Sequence, residues 1–356
     1  MPSDLVTTLT AQDGASATAW SWAEKTFGAR RGRGGRIIPP NVAQFSSWID
    51  LGQCRVAITS DGIGTKIEVA ERVGRFDTLG FDLLAMVVDD LAANGAEPIA
   101  LTNILDVDRI DQRTIDQLMG GLHNACLEAS VSIAGGEIAE LGGRVGGHGL
   151  GMHFNWSATA IGGLREGWEP VDGTKLTPGD EVIAVESTSF RSNGYTAARR
   201  ALTAAFGTSW HEASFEGRTY GEWLLDPCRA YAPLVVALRA EGVEARGFAH
   251  ITGGGLPGKL GRTLRAGHRG AVLTNLFSPS SAMEQVRTLG AISLADAYRH
   301  WNMGNGFILV VPPSETDRTL ELCARMSFPA KRAGLIVEHE VLELRVGGQR
   351  LEYSLR

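Results

Sequence analysis

Several short stretches of the sequence carry side chains of the kinds that handle phosphates and divalent cations. Residues 60–66 read SDGIGTK. Asp61 ends an apolar run, Gly62 and Gly64 permit close backbone approach, Thr65 offers a hydroxyl and Lys66 a point charge. Such a set holds a phosphate–metal unit, or forms a plain turn with a solvated lysine. Residues 77–94, DTLGFDLLAMVVDDLAAN, place Asp82 and Asp89 on one helical face, with Asp90 roughly 80–100° around from them. Acids within an apolar helix are costly unless paired, metal-bound or solvated. The ordinary expectation is a solvent face. Leu83, Met86, Val87 and Leu91 leave little polar surface beside Asp90, which keeps a metal or phosphate role open for it. Residues 134–143, AGGEIAELGG, set two glycines before Glu137, in a glycine turn after a strand or at a capped helix start. Carboxylate oxygens from Asp61, Asp90 and Glu137 would suit Mg²⁺, which keeps waters and substrate phosphates in its shell.

Two further stretches offer donors to anions. In STSFRSNGYTAARRAL (187–202) a strand ends and a helix begins near Asn193. Its first-turn N–H groups form an anion site by geometry, with simple N-capping as the alternative. In FAHITGGGLPGKL (248–260), His250 and Thr252 precede Gly253, Gly254 and Gly255; the histidine is structural or catalytic. Gly253, Gly258 and Lys259 almost complete a P-loop, but Leu260 cannot ligate Mg²⁺ and Pro257 removes an N–H from the cradle. The stretch is therefore not read as a P-loop.

The elements that must position these groups follow from periodicity. Residues 55–60, 98–107, 131–137, 155–163, 181–188 and part of 301–313 read as strands. Residues 77–94, 111–130, 193–206, 228–242 and 316–326 read as helices, the first capped by Asp77 and ended by Gly95. A polar Gly/Pro-rich segment, 165–181, divides the chain into domains 1–165 and 166–356. Strands and helices alternate without the ~30-residue rhythm of a doubly wound sheet, so the fold class is α+β, with two mixed domains.

The 356 residues are 44% hydrophobic and 21% charged, with a net charge of −6, which argues for a soluble protein and against a general nucleic-acid binder. The one basic run, ARRGRGGR (29–36), is a solvated loop or a phosphate-binding arm. Cys54, Cys126, Cys228 and Cys323 form no C-x-x-C pair, which argues against zinc and for reduced thiols in the cytoplasm. No signal peptide and no membrane span is expected.

The stretches SDGIGTK, DTLGFDLLAMVVDDLAANGAEP, AGGEIAEL, SNGYTAARRAL, HITGGGLPGKL and WNMGNGFILVV occur in the order and spacing of the aminoimidazole ribonucleotide synthetases, also called phosphoribosylformylglycinamidine cyclo-ligases. The chain resembles this family from about Val56 onward. DGIGTK and D-x4-G-A-x-P (90–98) belong to a wider ATP-using superfamily, and GGEIAEL and HITGGGL to the cyclo-ligases more narrowly. The resemblance implies ATP- and Mg²⁺-dependent closure of the imidazole ring of a small-molecule ribonucleotide, the fifth step of purine synthesis. It implies a homodimer whose N-terminal sheets pair into a barrel. The first domain would bind ATP and dimerise, and the second would complete the substrate site. Carried over by position, Asp61, Gly62, Gly64, Thr65, Lys66, Asp90 and Glu137 bind ATP and Mg²⁺, with Asp61, Asp90 and Glu137 on the metal. Asn193, Thr252, Gly253, Gly254 and Gly255 face the ribonucleotide, and His250, Lys66 and Arg191 are the catalytic candidates. The chain departs from the family's pattern at Arg191, where His is usual, at Asp89, where Asn is common, and across the N-terminal region, where GRGGRIIPPNVAQF replaces the usual segments. A different ATP-dependent enzyme of the superfamily, or a non-catalytic nucleotide-binding relative, is the alternative.

Overall fold

The computed structural model describes residues 3–30, 32–39 and 44–355, with side chains from residue 14 onward. After an N-terminal helix α1 (Ser3–Glu24), six strands build the first sheet: β1 (Arg36–Ile38), β2 (Ser47–Asp50), β3 (Arg55–Gly62), β4 (Glu97–Val107), β5 (Ser132–Glu140) and β6 (Phe154–Gly163), in the order β1-β2-β3-β6-β4-β5. Only the β4–β5 pair is parallel among them, and it needs a crossover. Helices α2 (Lys66–Val73) and α3 (Leu79–Ala93) lie between β3 and β4, and α4 (Gln112–Ala129) makes the crossover to β5. Burial alternates along β4: Leu101, Leu105 and Val107 face the helices, while Ile99 and Ile104 face outward.

The second sheet is built from β7 (Glu181–Glu186), β10 (Gly247–His250), β11 (Gly270–Leu273), β12 (Asn305–Val311), β13 (Ala330–Val337), β14 (Val341–Val346) and β15 (Gln349–Ser354), with a small hairpin of β8 (Ser214–Phe215) and β9 (Arg218–Thr219) set apart. Its order is β10-β12-β7-β13-β11-β14-β15. Around it pack α5 (Tyr195–Phe206), α6 (Tyr220–Leu224), α7 (Ala232–Ala240), α8 (Gly255–Ala266), α9 (Ser281–Leu289), α10 (Leu294–His300) and α11 (Thr316–Arg325). The two mixed sheets agree with the α+β expectation and rule out a single doubly wound sheet.

Helix α3 is the hub. All of it but Phe81 is buried, its three acids included. It packs on the first sheet and α4, and also on α7 and β10 of the second unit. It meets α4 at Gly80 and Gly121, where a Cβ on Gly80 would overlap the opposing backbone.

Two local expectations are corrected. Asp77 does not cap α3; it pairs with Arg75 at 2.8 Å, and the helix follows Thr78. Residues 134–137 do not end the strand in a turn: the β4 ladder shifts register by one residue at Ala134, and β5 continues through to Glu140. Of the basic run, Arg31 lies outside the described residues, and Arg36 begins β1 and bonds to Asp50 in β2 at 2.9 Å. The four cysteines are free, three of them buried. Among the described residues no helix is long and apolar enough to cross a membrane.

Candidate active site

The acids of α3 face protein partners, not solvent. Asp82 Oδ2 lies 2.7 Å from Lys66 Nζ, both side chains being fully buried, and Oδ1 accepts from the Cys228 N–H at 3.0 Å. Lys66 also donates to the Asp226 carbonyl at 2.7 Å. Burial pushes the Asp82 carboxyl up, against the pull of Lys66 and Cys228. Asp89 Oδ1 accepts from the N–H groups of Tyr231 (2.6 Å) and Ala232 (2.8 Å), at the start of α7, and Oδ2 pairs with Arg191 Nη2 at 2.8 Å. Asp90 Oδ1 lies 2.8 Å from His250 Nδ1. The solvent-face expectation therefore fails for all three, because each carboxylate ties the first unit to the second.

His250 ends β10 and is fully buried. Its Nε2 lies 2.7 Å from Arg191 Nη2. Burial and the Arg191 charge pull its pKa down, while Asp90 and Asp89 oppose them. Arg191 is 1% exposed, has φ 59°, and donates from Nη1 to the Arg229 carbonyl at 3.0 Å. Its guanidinium carbon sits 4.9 Å from the centre of the Tyr231 ring. Burial works against its charge, but Cys228, Asp89 and Tyr231 outweigh it and raise the pKa further.

Asp61 closes β3 and accepts from the N–H of Gly62 at 2.7 Å. Burial, with the like charge of Asp90, pushes it up to about 6; the Gly62 N–H and Lys259 oppose the rise. Lys259 on α8 is itself held below the usual lysine range by burial and Arg262, against the attraction of Asp90 and Asp61. Its Nζ lies 5.6 Å from the centre of the Phe45 ring. Phe45 is fixed from the end of α3, where Asn94 Oδ1 accepts from the N–H groups of Phe45 (2.8 Å) and Ser46 (2.9 Å).

The glycine loops converge beside these groups. A Cβ on Gly253 would lie 2.8 Å from Asn193 Oδ1, and one on Gly64 3.9 Å from the Ser192 carbonyl. Asn193 Nδ2 reaches Met86 Sδ, one turn before Asp90 on α3, at 3.8 Å. Gly254 (φ 92°) and Gly255 (φ 57°) open α8 in left-handed conformations, and Gly194 (φ 76°) opens α5. Loops 60–66, 190–194 and 250–255 thus gather two helix N-termini around an acidic pair with one nearby lysine, an arrangement suited to a phosphate-bearing ligand with its cation.

Some expected site residues are employed elsewhere. The ammonium of Lys66 is enclosed by Asp82 and Asp226, so it is not free to meet a phosphate. Arg191 is sealed in its pair with Asp89, and both ring nitrogens of His250 are taken by protein groups. Glu137 is exposed on the sheet edge. The registers Asp61–Ala158, Ala158–Asn103 and Asn103–Gly136 put its neighbour three strands from Asp61, roughly 14 Å at about 4.8 Å per strand. Among the described residues no three His, Cys, Asp or Glu side chains converge as metal ligands. Lys259, discounted from the failed P-loop motif, is the cation that lies by Asp61 and Asp90.

This fold and site define a protein of two mixed α+β units whose acidic side chains and glycine loops meet where the units join. The architecture is shared with a chain of the "HypE-HypF complex" crystal structure, at TM-score 0.65 and 16% identity, covering 87% of this chain and 93% of that one. Residues 46–162 match the family model "AIR synthase related protein, N-terminal domain", and residues 177–347 its C-terminal counterpart. The chain is 36% identical over 323 residues to the phosphoribosylformylglycinamidine cyclo-ligase of Pyrococcus furiosus, covering 89% of this chain and 91% of that one. It is 37% identical over 317 residues to that of Thermococcus kodakarensis, covering 89% of each. The chain belongs to the phosphoribosylformylglycinamidine cyclo-ligase family.

Proposed function

We propose that this chain catalyses the ATP-dependent ring closure of formylglycinamidine ribonucleotide to aminoimidazole ribonucleotide. The amide oxygen attacks the γ-phosphorus and ADP leaves. An internal nitrogen then attacks the activated carbon, phosphate leaves and a proton is lost. The observation that carries this reading is the Asp61–Asp90 pair beside Lys259 and the glycine loops, in a chain similar to cyclo-ligases over most of its length.

Asp90 is buried and Asp61 partly buried and pushed up to about 6; among the described residues neither has a Lys or Arg ion-pair partner, and their oxygen chemistry fits Mg²⁺. Asp61 and Asp90 are the carboxylates we assign to it; when bound, the metal neutralises phosphate charge. Glu137 would join them only through bridging water and phosphate or from a second protomer. Gly62, Gly64 and Thr65 line the nucleotide side. Asn193, Thr252, Gly253, Gly254 and Gly255 orient the ribonucleotide, and the N-terminus of α8 with Lys259 holds phosphate charge. Positioning and a fixed field do most of the work in such a site.

A homodimer is part of the proposal. The sheet face away from α3 exposes Ile99 (55%), Ile104 (51%), Ile138 (44%) and Ile161 (40%), an apolar surface that a second copy would cover. Free cysteines suit a reducing cytoplasm.

The test is incubation with formylglycinamidine ribonucleotide, ATP and Mg²⁺. Aminoimidazole ribonucleotide and ADP in equal amounts are expected. Tight ATP binding without that product would overturn the reading in favour of another reaction of the superfamily.

A further inference from the structure

Arg191 and Asp89, 102 residues apart in the sequence, are one feature in the fold. Asp89 is immobilised by two N–H groups at the start of α7 and presents its second oxygen to Arg191. Arg191 is immobilised by Asp89 and the Arg229 carbonyl and presents the same Nη2 to His250. His250 presents its other nitrogen to Asp90.

The direction of this chain is dictated by chemistry. A guanidinium has only N–H donors, so His250 Nε2 must accept. In a neutral imidazole the remaining proton then sits on Nδ1, where it is donated to Asp90. The reverse tautomer would point an N–H at the N–H of Arg191 and a lone pair at the Asp90 carboxylate, two repulsive contacts in a site closed to water. Asp89 Oδ2 lies only 3.7 Å from His250 Nε2. Without Arg191 the imidazole would stand between two carboxylates, and Nε2 would find an acceptor of its own.

We infer that the buried Arg191–Asp89 pair is a positioning device, which fixes His250 as the Nδ1–H tautomer so that His250 orients Asp90. Arg191 and His250 are then positioning residues and exchange no proton with substrate. Their burial agrees: Arg191 is 1% exposed and His250 0%. Neither half of the pair works alone, since a lone buried Arg or Asp is strongly destabilising. The inference rests on the assignment of Asp90 to the nucleotide–metal site.

The test is ¹⁵N NMR of protein labelled at its eight histidines, with His250 assigned by the signals lost in His250→Gln. A protonated Nδ1 and a bare Nε2 are expected in the wild type. Protonation of Nε2 there would overturn the inference whatever the activity, so a failed cyclisation assay and a failed tautomer assignment are told apart. Arg191→Met should gain a proton on Nε2 and lose about 10- to 100-fold in affinity for Mg²⁺–ADP, the range for groups that orient a metal ligand. Arg191→Lys keeps a donor-only cation and should retain the wild-type tautomer and most of the affinity; it also serves if the Met variant does not fold. A folded Arg191→Met variant with wild-type spectra and affinity, or an Arg191→Lys variant with a protonated Nε2, would equally overturn it.

Discussion

Lys66 and Asp82 form an ion pair of 2.7 Å in which neither side chain reaches solvent. The lysine starts α2, the acid lies in α3, and the backbone groups that complete them, the Asp226 carbonyl and the Cys228 N–H, belong to the second unit. The pair is a joint between domains. Lys66→Met leaves a buried carboxylate without its cation, and folding stability should fall by about 3–5 kcal/mol in denaturant titration. Nucleotide affinity of the folded fraction should stay near that of the wild type. An unchanged midpoint with lost nucleotide binding would return Lys66 to the phosphate role that its motif suggested.

Lys259 predicts the opposite split. It sits near Asp61 and Asp90 but has no ion-pair partner within 4 Å among the described residues, so its charge costs stability more than it adds. Lys259→Met should fold at least as well as the wild type yet bind ATP about tenfold or more weakly, the loss of one charge-assisted contact. Calorimetric titration beside a thermal melt would read both. Equal affinity in the two proteins removes Lys259 from the site.

Asp61 gives the site a pH signature in the metal-free protein. Its carboxyl rises from 3.8 unfolded to about 6 folded, chiefly through burial. The native state therefore holds more protons between those values, and stability falls as pH rises through that window. The cost is complete above about pH 6 and is on the order of 2–3 kcal/mol. Asp61→Asn should be the more stable protein at pH 7, with the gap closing toward pH 4. A gap that does not change with pH would mean that Asp61 is not the titrating group.

The helix α3 was legible in the spacing of Leu79, Leu83, Met86, Val87 and Leu91, and so were the longer strands β3, β4 and β6. What its acids do was not. Their partners Arg191 and His250 lie 102 and 160 residues downstream, and periodicity carries no information at that range. Helix α2 was hidden because it follows β3 within a few residues and reads as a turn. Helix α8 was hidden by its glycines and Pro257, although Leu256, Leu260 and Leu264 recur every four residues and are all fully buried. Leu260, which ruled out a P-loop, is thus a core residue of that helix, and its neighbour Lys259 is turned toward the acids. Strands β13 to β15 were missed because their charged residues obscure the alternation.

Asp90 is the acid with the least structural duty. Among the described residues its side chain bonds to His250 alone, whereas Asp89 caps a helix and pairs with an arginine. Asp90→Ala should therefore cost about 1–3 kcal/mol, the penalty of one unmade bond on a buried donor. It should abolish ATP-dependent turnover with the fold retained by circular dichroism. Near-wild-type turnover would remove Asp90 from the site.

The open face of the first sheet tests the assembly. Ile104 lies on β4, beside the edge strand β5, half exposed, while its neighbours Asn103 and Leu105 point into the core. Lysine there keeps the inward pattern and adds an outward charge, so Ile104→Lys should leave the monomer fold intact. If two such faces meet, the substitution buries two ammonium groups near a two-fold axis, which is prohibitive without counter-ions. Sedimentation should then show a dimer in the wild type and a monomer in the variant at the same concentration. Monomers in both would leave the isoleucines without the partner proposed for them, and dimers in both would move the interface to another surface.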